Sequence, residues 1–114
     1  MGIIMSEVLE LNGDNFTQEV LESKIPVLVD FGAIWCAPCH RQLIVLKEFA
    51  EKYDGKIKIG KVDIDQSADL SMTYRVKAVP TLVLFNAGKA IHTKVGLNSL
   101  SVMEDMLNLL ESSR

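Results

Sequence analysis

The chain has 114 residues, of which 48% are hydrophobic and 24% charged, and its net charge is −3. This size and composition are those of an ordinary globular domain, so one domain over residues 1–114 is expected. The acidic balance argues against nucleic acid or an anionic membrane as partner, and no apolar run approaches the roughly 18 residues of a membrane span.

Residues 1–6, Met1 to Ser6, are expected to form a flexible extension. They carry no basic region and no long apolar core, so they do not read as a secretory signal, and a cytoplasmic location is expected. Gly2 with Ser6 fits a short acylation pattern that recurs by chance, and Met5 serves as well as Met1 as a first residue. Only two cysteines are present, and in a reducing compartment a pair is catalytic more often than structural.

In chain order, Glu7–Leu11 reads as a short strand. Asn12-Gly13-Asp14 is a turn cluster, and Asn15 is placed to cap a short helix to about Glu22, with Gln18 at the capping-box position. Pro26–Phe31 is almost continuously apolar, which suggests a strand buried on both faces. A helix follows from about Cys36 to Tyr53, with Cys39, Leu43, Leu46, Ala50 and Tyr53 along one face. Asp54-Gly55 stops it. Ile57–Asp63 is the next strand, then a short helix around Ser67–Tyr74. Val79-Pro80 introduces the apolar strand Thr81–Phe85, and Asn86-Ala87-Gly88-Lys89 is a hairpin connection into Ala90–Val95. The last helix spans roughly Ser99–Leu110, its start open between a Ser99 cap and a Ser101–Glu104 capping box. The order βαβαβαββα predicts an α/β fold in three layers, with helices on both faces of a mixed sheet.

Within that order, Trp35-Cys36-Ala37-Pro38-Cys39 stands between a buried strand and a helix. Two residues between the cysteines put both sulfurs on one side of the first helical turn, where a small disulfide ring can close and reopen. The pair reads as a thiol–disulfide redox site.

Val27-Leu28-Val29-Asp30-Phe31, Trp35-Cys36-x-Pro38-Cys39, Val62-Asp63-Ile64-Asp65, Val79-Pro80-Thr81-Leu82 and Lys94-Val95-Gly96 together resemble the thioredoxin family, over about residues 7 to 112. The resemblance implies the thioredoxin fold: a central mixed five-stranded sheet in the order 1-3-2-4-5 with four helices. It also implies a cis bond before Pro80. The implied activity is reduction of client-protein disulfides by dithiol–disulfide exchange. Cys36 would be the nucleophile, its thiolate favoured by the helix N-terminus. Cys39 would be the resolving thiol. The redox-active Cys36–Cys39 disulfide would be the only cofactor, with no metal.

Asp30 is the one charged residue in its apolar strand, and burial without a partner should raise its pKa. By resemblance it relays the proton of Cys39; the alternative is a surface or salt-bridged carboxylate, with Lys61 as partner. Lys61 and Pro80 complete the implied catalytic set. Trp35, Ala37, Pro38, Val79, Gly96 and Leu97 are the implied substrate contacts, with an extended client segment pairing along Val79. The implied partners are a thioredoxin reductase and many disulfide-containing clients, and a monomer is expected.

Four positions depart from the usual family pattern. Ala37 replaces a glycine, Gly32 stands where a bulky aromatic is usual, Ile44 replaces a helix-kinking proline, and His40 replaces a lysine. Gly32 is expected to thin the wall beside the site. Ile44 is expected to allow a straighter helix, and His40 to be solvated and mild in effect. Three rival readings follow from the same residues. They are a zinc site of Cys36, Cys39, His40 and His92, an oxidase or isomerase of secretory compartments, and a pure binding or scaffold subunit.

Overall fold

A computed structural model describes residues 7–112. Its strands are β1 (Val8–Leu11), β2 (Val27–Gly32), β3 (Lys58–Asp63), β4 (Thr81–Asn86) and β5 (Lys89–Val95). Three α-helices, α1 (Ala37–Lys52), α2 (Ala68–Thr73) and α3 (Leu100–Ser112), and one π-helical turn, Thr17–Leu21, complete the expected element order. The expected extension at 1–6, with Gly2 and Ser6, lies outside the described residues.

The strands form one five-stranded sheet in the order β1-β3-β2-β4-β5. β1, β3 and β2 run parallel, β4 pairs antiparallel with β2, and β5 with β4. Antiparallel β4 and β5 need only a tight connection, and Ala87 and Gly88 supply it with φ of 52° and 80°, the mirror-image turn that matches strand twist. β2 and β4 are buried along nearly their whole length, as their apolar runs suggested.

Side-chain alternation sorts these strands into two cores. Leu28, Ile59, Leu82 and Leu84 face α1 and α3, meeting Leu46, Phe49, Met103 and Met106. Val29, Phe31, Val83 and Phe85 face the other way, onto Phe16 and Val20 with Leu70 and Tyr74 behind them. Helices therefore cover both faces, and the three-layer thioredoxin fold holds. Gly60 is fixed by packing: a Cβ there would lie 2.4 Å from Leu11 Cδ1.

Two expectations need correction, and one open alternative is resolved. Asn15 does not cap the first helix. Its side chain accepts from the Asn12 amide at 2.8 Å and donates to the Glu10 carbonyl at 2.9 Å, fastening the turn to β1, and the helix behind it winds as a π-turn instead. The inward face of α1 is Cys39, Gln42, Leu46, Phe49 and Ala50; Leu43 and Tyr53 are only half-buried. Ser99 caps α3 by accepting from the Val102 amide at 3.3 Å, while Glu104 turns to Lys52 and Tyr53. α1 itself is uninterrupted through Ile44.

Candidate functional site

The two cysteines meet where β2 hands over to α1. Cys36 is the helix N-cap, with extended backbone (φ −101°, ψ 108°), and Ala37 and Pro38 follow in the first turn, where proline's missing N–H costs nothing. The Cys39 amide donates to Cys36 Sγ at 3.3 Å, so the first sulfur takes the place of a capping oxygen. Cys36 and Cys39 are joined as a disulfide, with Cα atoms 5.2 Å apart, and both residues are buried. Cys36 Sγ lies 3.8 Å from the carbonyl oxygen of Val79.

That carbonyl precedes a cis Val79-Pro80 bond. Pro80 is buried, and its own carbonyl accepts from the Gly96 amide at 2.8 Å. Gly96 has a φ of +93°, a conformation that favours glycine. Leu97 follows it and is exposed. Trp35 is 69% exposed, yet its indole N–H donates to Asp65 at 2.8 Å, so the ring is held in place.

Beneath the cysteines lies Asp30. It is 4% exposed, and its Oδ1 has no hydrogen-bond partner among the described residues. Burial pushes its pKa from 3.8 up to about 7, against the opposing pull of the Lys61 charge. Lys61 is the β3 neighbour of Asp30 in register, but its ammonium pairs with Glu10 on β1 at 3.0 Å. The alternative of an Asp30–Lys61 salt bridge therefore fails. The three charges form a row across β1, β3 and β2 in which only Asp30 is buried and unpaired.

Asp30, Cys39 and Lys61 line one side of an open cleft of about 340 Å³, which Gly32 and His40 also line. A Cβ at Gly32 would meet Cβ and Sγ of Cys39 at 3.4 Å, in ordinary contact. His40 is exposed, as expected, and its ring makes one local contact. Its Nε2 is 2.7 Å from the Ile34 carbonyl, and because a carbonyl only accepts, Nε2 carries the hydrogen. His92 lies on β5 opposite Leu84, and among the described residues no group of three or more His, Cys, Asp or Glu could hold a metal.

Three residues that position the site were given no role from the sequence. Gln42 is fully buried and exchanges two hydrogen bonds with the Asn98 backbone, at 2.8 and 3.0 Å. The Asn98 side chain donates to the Gly96 carbonyl at 2.8 Å, so α1 is tied through Asn98 and Gly96 to Pro80. Asp65 fixes Trp35. Gln42 was legible in principle, since it lies between Cys39 and Leu46 on their helical face, a polar residue in an apolar stripe as Asp30 is.

The family model described as Thioredoxin matches residues 7–109. Similar curated proteins include Thioredoxin of Buchnera aphidicola subsp. Schizaphis graminum, 40% identical across 91% of this chain and 96% of the relative. Thioredoxin 1 of a Nostoc species is 41% identical over 81% and 86%, and Thioredoxin of Rickettsia felis 38% over 82% and 90%. The chain belongs to the thioredoxin family. It is a thiol–disulfide oxidoreductase, more narrowly a protein-disulfide reductase, working through the Cys36–Cys39 pair.

Proposed function

We propose that Cys36 attacks the client disulfide, that Cys39 resolves the mixed disulfide, and that Asp30 takes the Cys39 proton. The buried, unpaired carboxyl of Asp30 on the Cys39 side of the pair carries this reading. A carboxyl with a pKa of about 7 is divided between acid and base at neutral pH, as a group that must accept and return a proton requires. The Cys36 thiolate displaces one client sulfur, leaving Cys36 bonded to the other. Cys39 then loses its proton to Asp30 and attacks Cys36 Sγ, which closes the protein disulfide and releases the second client sulfur as a thiolate. The Asp30 proton passes through water to that thiolate. Lys61 adds the positive charge that keeps Asp30 from rising further.

The client segment lies extended along Val79, whose cis link to Pro80 leaves backbone groups beside Cys36. Trp35, Ala37, Pro38, Gly96 and Leu97 flank that line, and their apolar, sequence-tolerant surface suits many clients. The protein cycles as a cytoplasmic monomer between its clients and a thioredoxin reductase that returns it to the dithiol, serving electron transport and redox homeostasis.

Insulin disulfide reduction, driven by candidate reductases, tests the cycle. Asp30→Asn should slow turnover between pH 6 and 8, with Cys36 alkylation little changed. An equal rate across that range would remove the proton-transfer role.

A further inference from the structure

Residues 96–99 join β5 to α3 and include two of the proposed client contacts, Gly96 and Leu97. Apolar burial does not fix this turn. Val95 before it is 67% exposed, and Leu97 within it is 48% exposed. Gly96 adds freedom of its own, since at φ +93° a Cβ would meet nothing within 4 Å. Hydrogen bonds hold the turn instead.

Those bonds lead back to one side chain. Gln42 lies in α1, three residues after Cys39, and is fully buried. Its amide oxygen accepts from the Asn98 N–H, and its amide nitrogen donates to the Asn98 carbonyl. Two opposed bonds to one residue fix both the position and the rotation of that backbone, which a single bond does not. The Asn98 side chain donates to the Gly96 carbonyl, and the Gly96 N–H donates to Pro80. The series thus runs from the helix that carries the cysteines to the proline next to the Val79 carbonyl at Cys36. Packing alone would be served as well by leucine, which has no polar group to bury. What glutamine adds is the clamp.

We propose that Gln42 is a positioning residue for protein clients: through Asn98 it holds Gly96 and Leu97 where the client segment is received, and it acts on neither sulfur. Its effect falls on client binding. Small disulfides, which use no extended surface, do not depend on it. A backbone residue held ready spares binding the cost of ordering it, which corresponds to about tenfold in affinity. This inference rests on the proposed client line along Val79, Gly96 and Leu97.

The test mixes reduced protein with insulin over a range of concentrations, which yields a maximal exchange rate and a half-saturating concentration. Gln42→Leu should raise the half-saturating concentration about tenfold and leave the maximal rate within about twofold. Its rate with hydroxyethyl disulfide and the pH profile of its Cys36 alkylation should match those of the unaltered protein. Asn98→Ala removes only the clasp on Gly96 and leaves Gln42 its two bonds. It should raise the insulin value about threefold, and it guards against a leucine variant that folds poorly. The double variant should fall short of the product of the two effects, because both act through one turn. An unchanged half-saturating concentration in both single variants, or a full product in the double, would overturn the proposal. So would a hydroxyethyl disulfide rate that falls as far as the insulin rate, since that means a displaced cysteine pair. Leu97→Ser reads the client line separately. If it weakens insulin binding while the other two variants do not, only the positioning role fails; if all three leave binding unchanged, the client line fails with it.

Discussion

Asp30 and Gln42 are both polar, both buried and both on the α1 side of the sheet, but their surroundings differ. Gln42 sits in the middle of α1 with its amide oxygen and nitrogen each bonded to the Asn98 backbone. Asp30 sits in β2 with a carboxyl oxygen bonded to nothing among the described residues. A satisfied buried amide joins two elements and can be left alone by evolution of the chemistry. An unsatisfied carboxyl costs stability at neutral pH, and the proposed proton transfer would give that cost a use.

Titration separates the two most strongly. Between pH 3.8 and about 7 the folded chain holds a proton on Asp30 that the unfolded chain has released. Stability attributable to this group therefore falls as pH rises through that window and stays lowered above it. Asp30→Asn removes the penalty. It should leave stability nearly unchanged below pH 4 and raise it toward a ceiling of about 4 kcal/mol above pH 7, read by urea unfolding at a series of pH values. A gain of the same size at pH 4 would mean that ionisation is not its source.

Gln42→Leu should do the reverse. Removing both bonds to Asn98 should cost about 1–3 kcal/mol, by the same amount at pH 5 and pH 9. It should also raise hydrogen exchange at the Gly96 amide, because Asn98 holds that turn. A pH-dependent loss would erase the contrast with Asp30.

Gly60→Ala calibrates both against a change with no polar component. The new Cβ forces Leu11 to move, which should cost about 1–2 kcal/mol of stability in the same assay. The smallest effect should come from Glu104→Gln. Glu104 accepts from Lys52 at 2.6 Å and from the Tyr53 hydroxyl, and these contacts hold its pKa below the usual range. The group is open to water, so only a slight fall in thermal midpoint at pH 7 is expected, disappearing in high salt.

The elements that depend on hydrophobic pattern were legible along the chain. β2, β4 and the hairpin at Ala87-Gly88 follow from local apolar runs and turn residues, and the motif between β2 and α1 carried the redox pair. What was not legible depends on long-range placement. Gln42 lies on the stripe of Cys39 and Leu46, but only Asn98, 56 positions later, shows why a polar side chain is buried there. Lys61 was a fair partner for Asp30 by register, but Glu10 on the far strand competes for the same ammonium from a more exposed position. His40 is solvated as expected, but nothing in sequence shows that its ring also reaches the Ile34 carbonyl. The π-turn at Thr17–Leu21 was likewise not legible as such.

On β2, Leu28, Asp30 and Gly32 look toward α1, and Val27, Val29 and Phe31 look away. Chemistry in this strand is thus written on even numbers. Slipping the strand by one position would turn the carboxyl into the layer of Phe16 and Phe85 and swing an aromatic ring toward the sulfurs. Slipping it by two would restore the side but displace the acid by about 7 Å, a full pleat away from its place beside the cysteine pair.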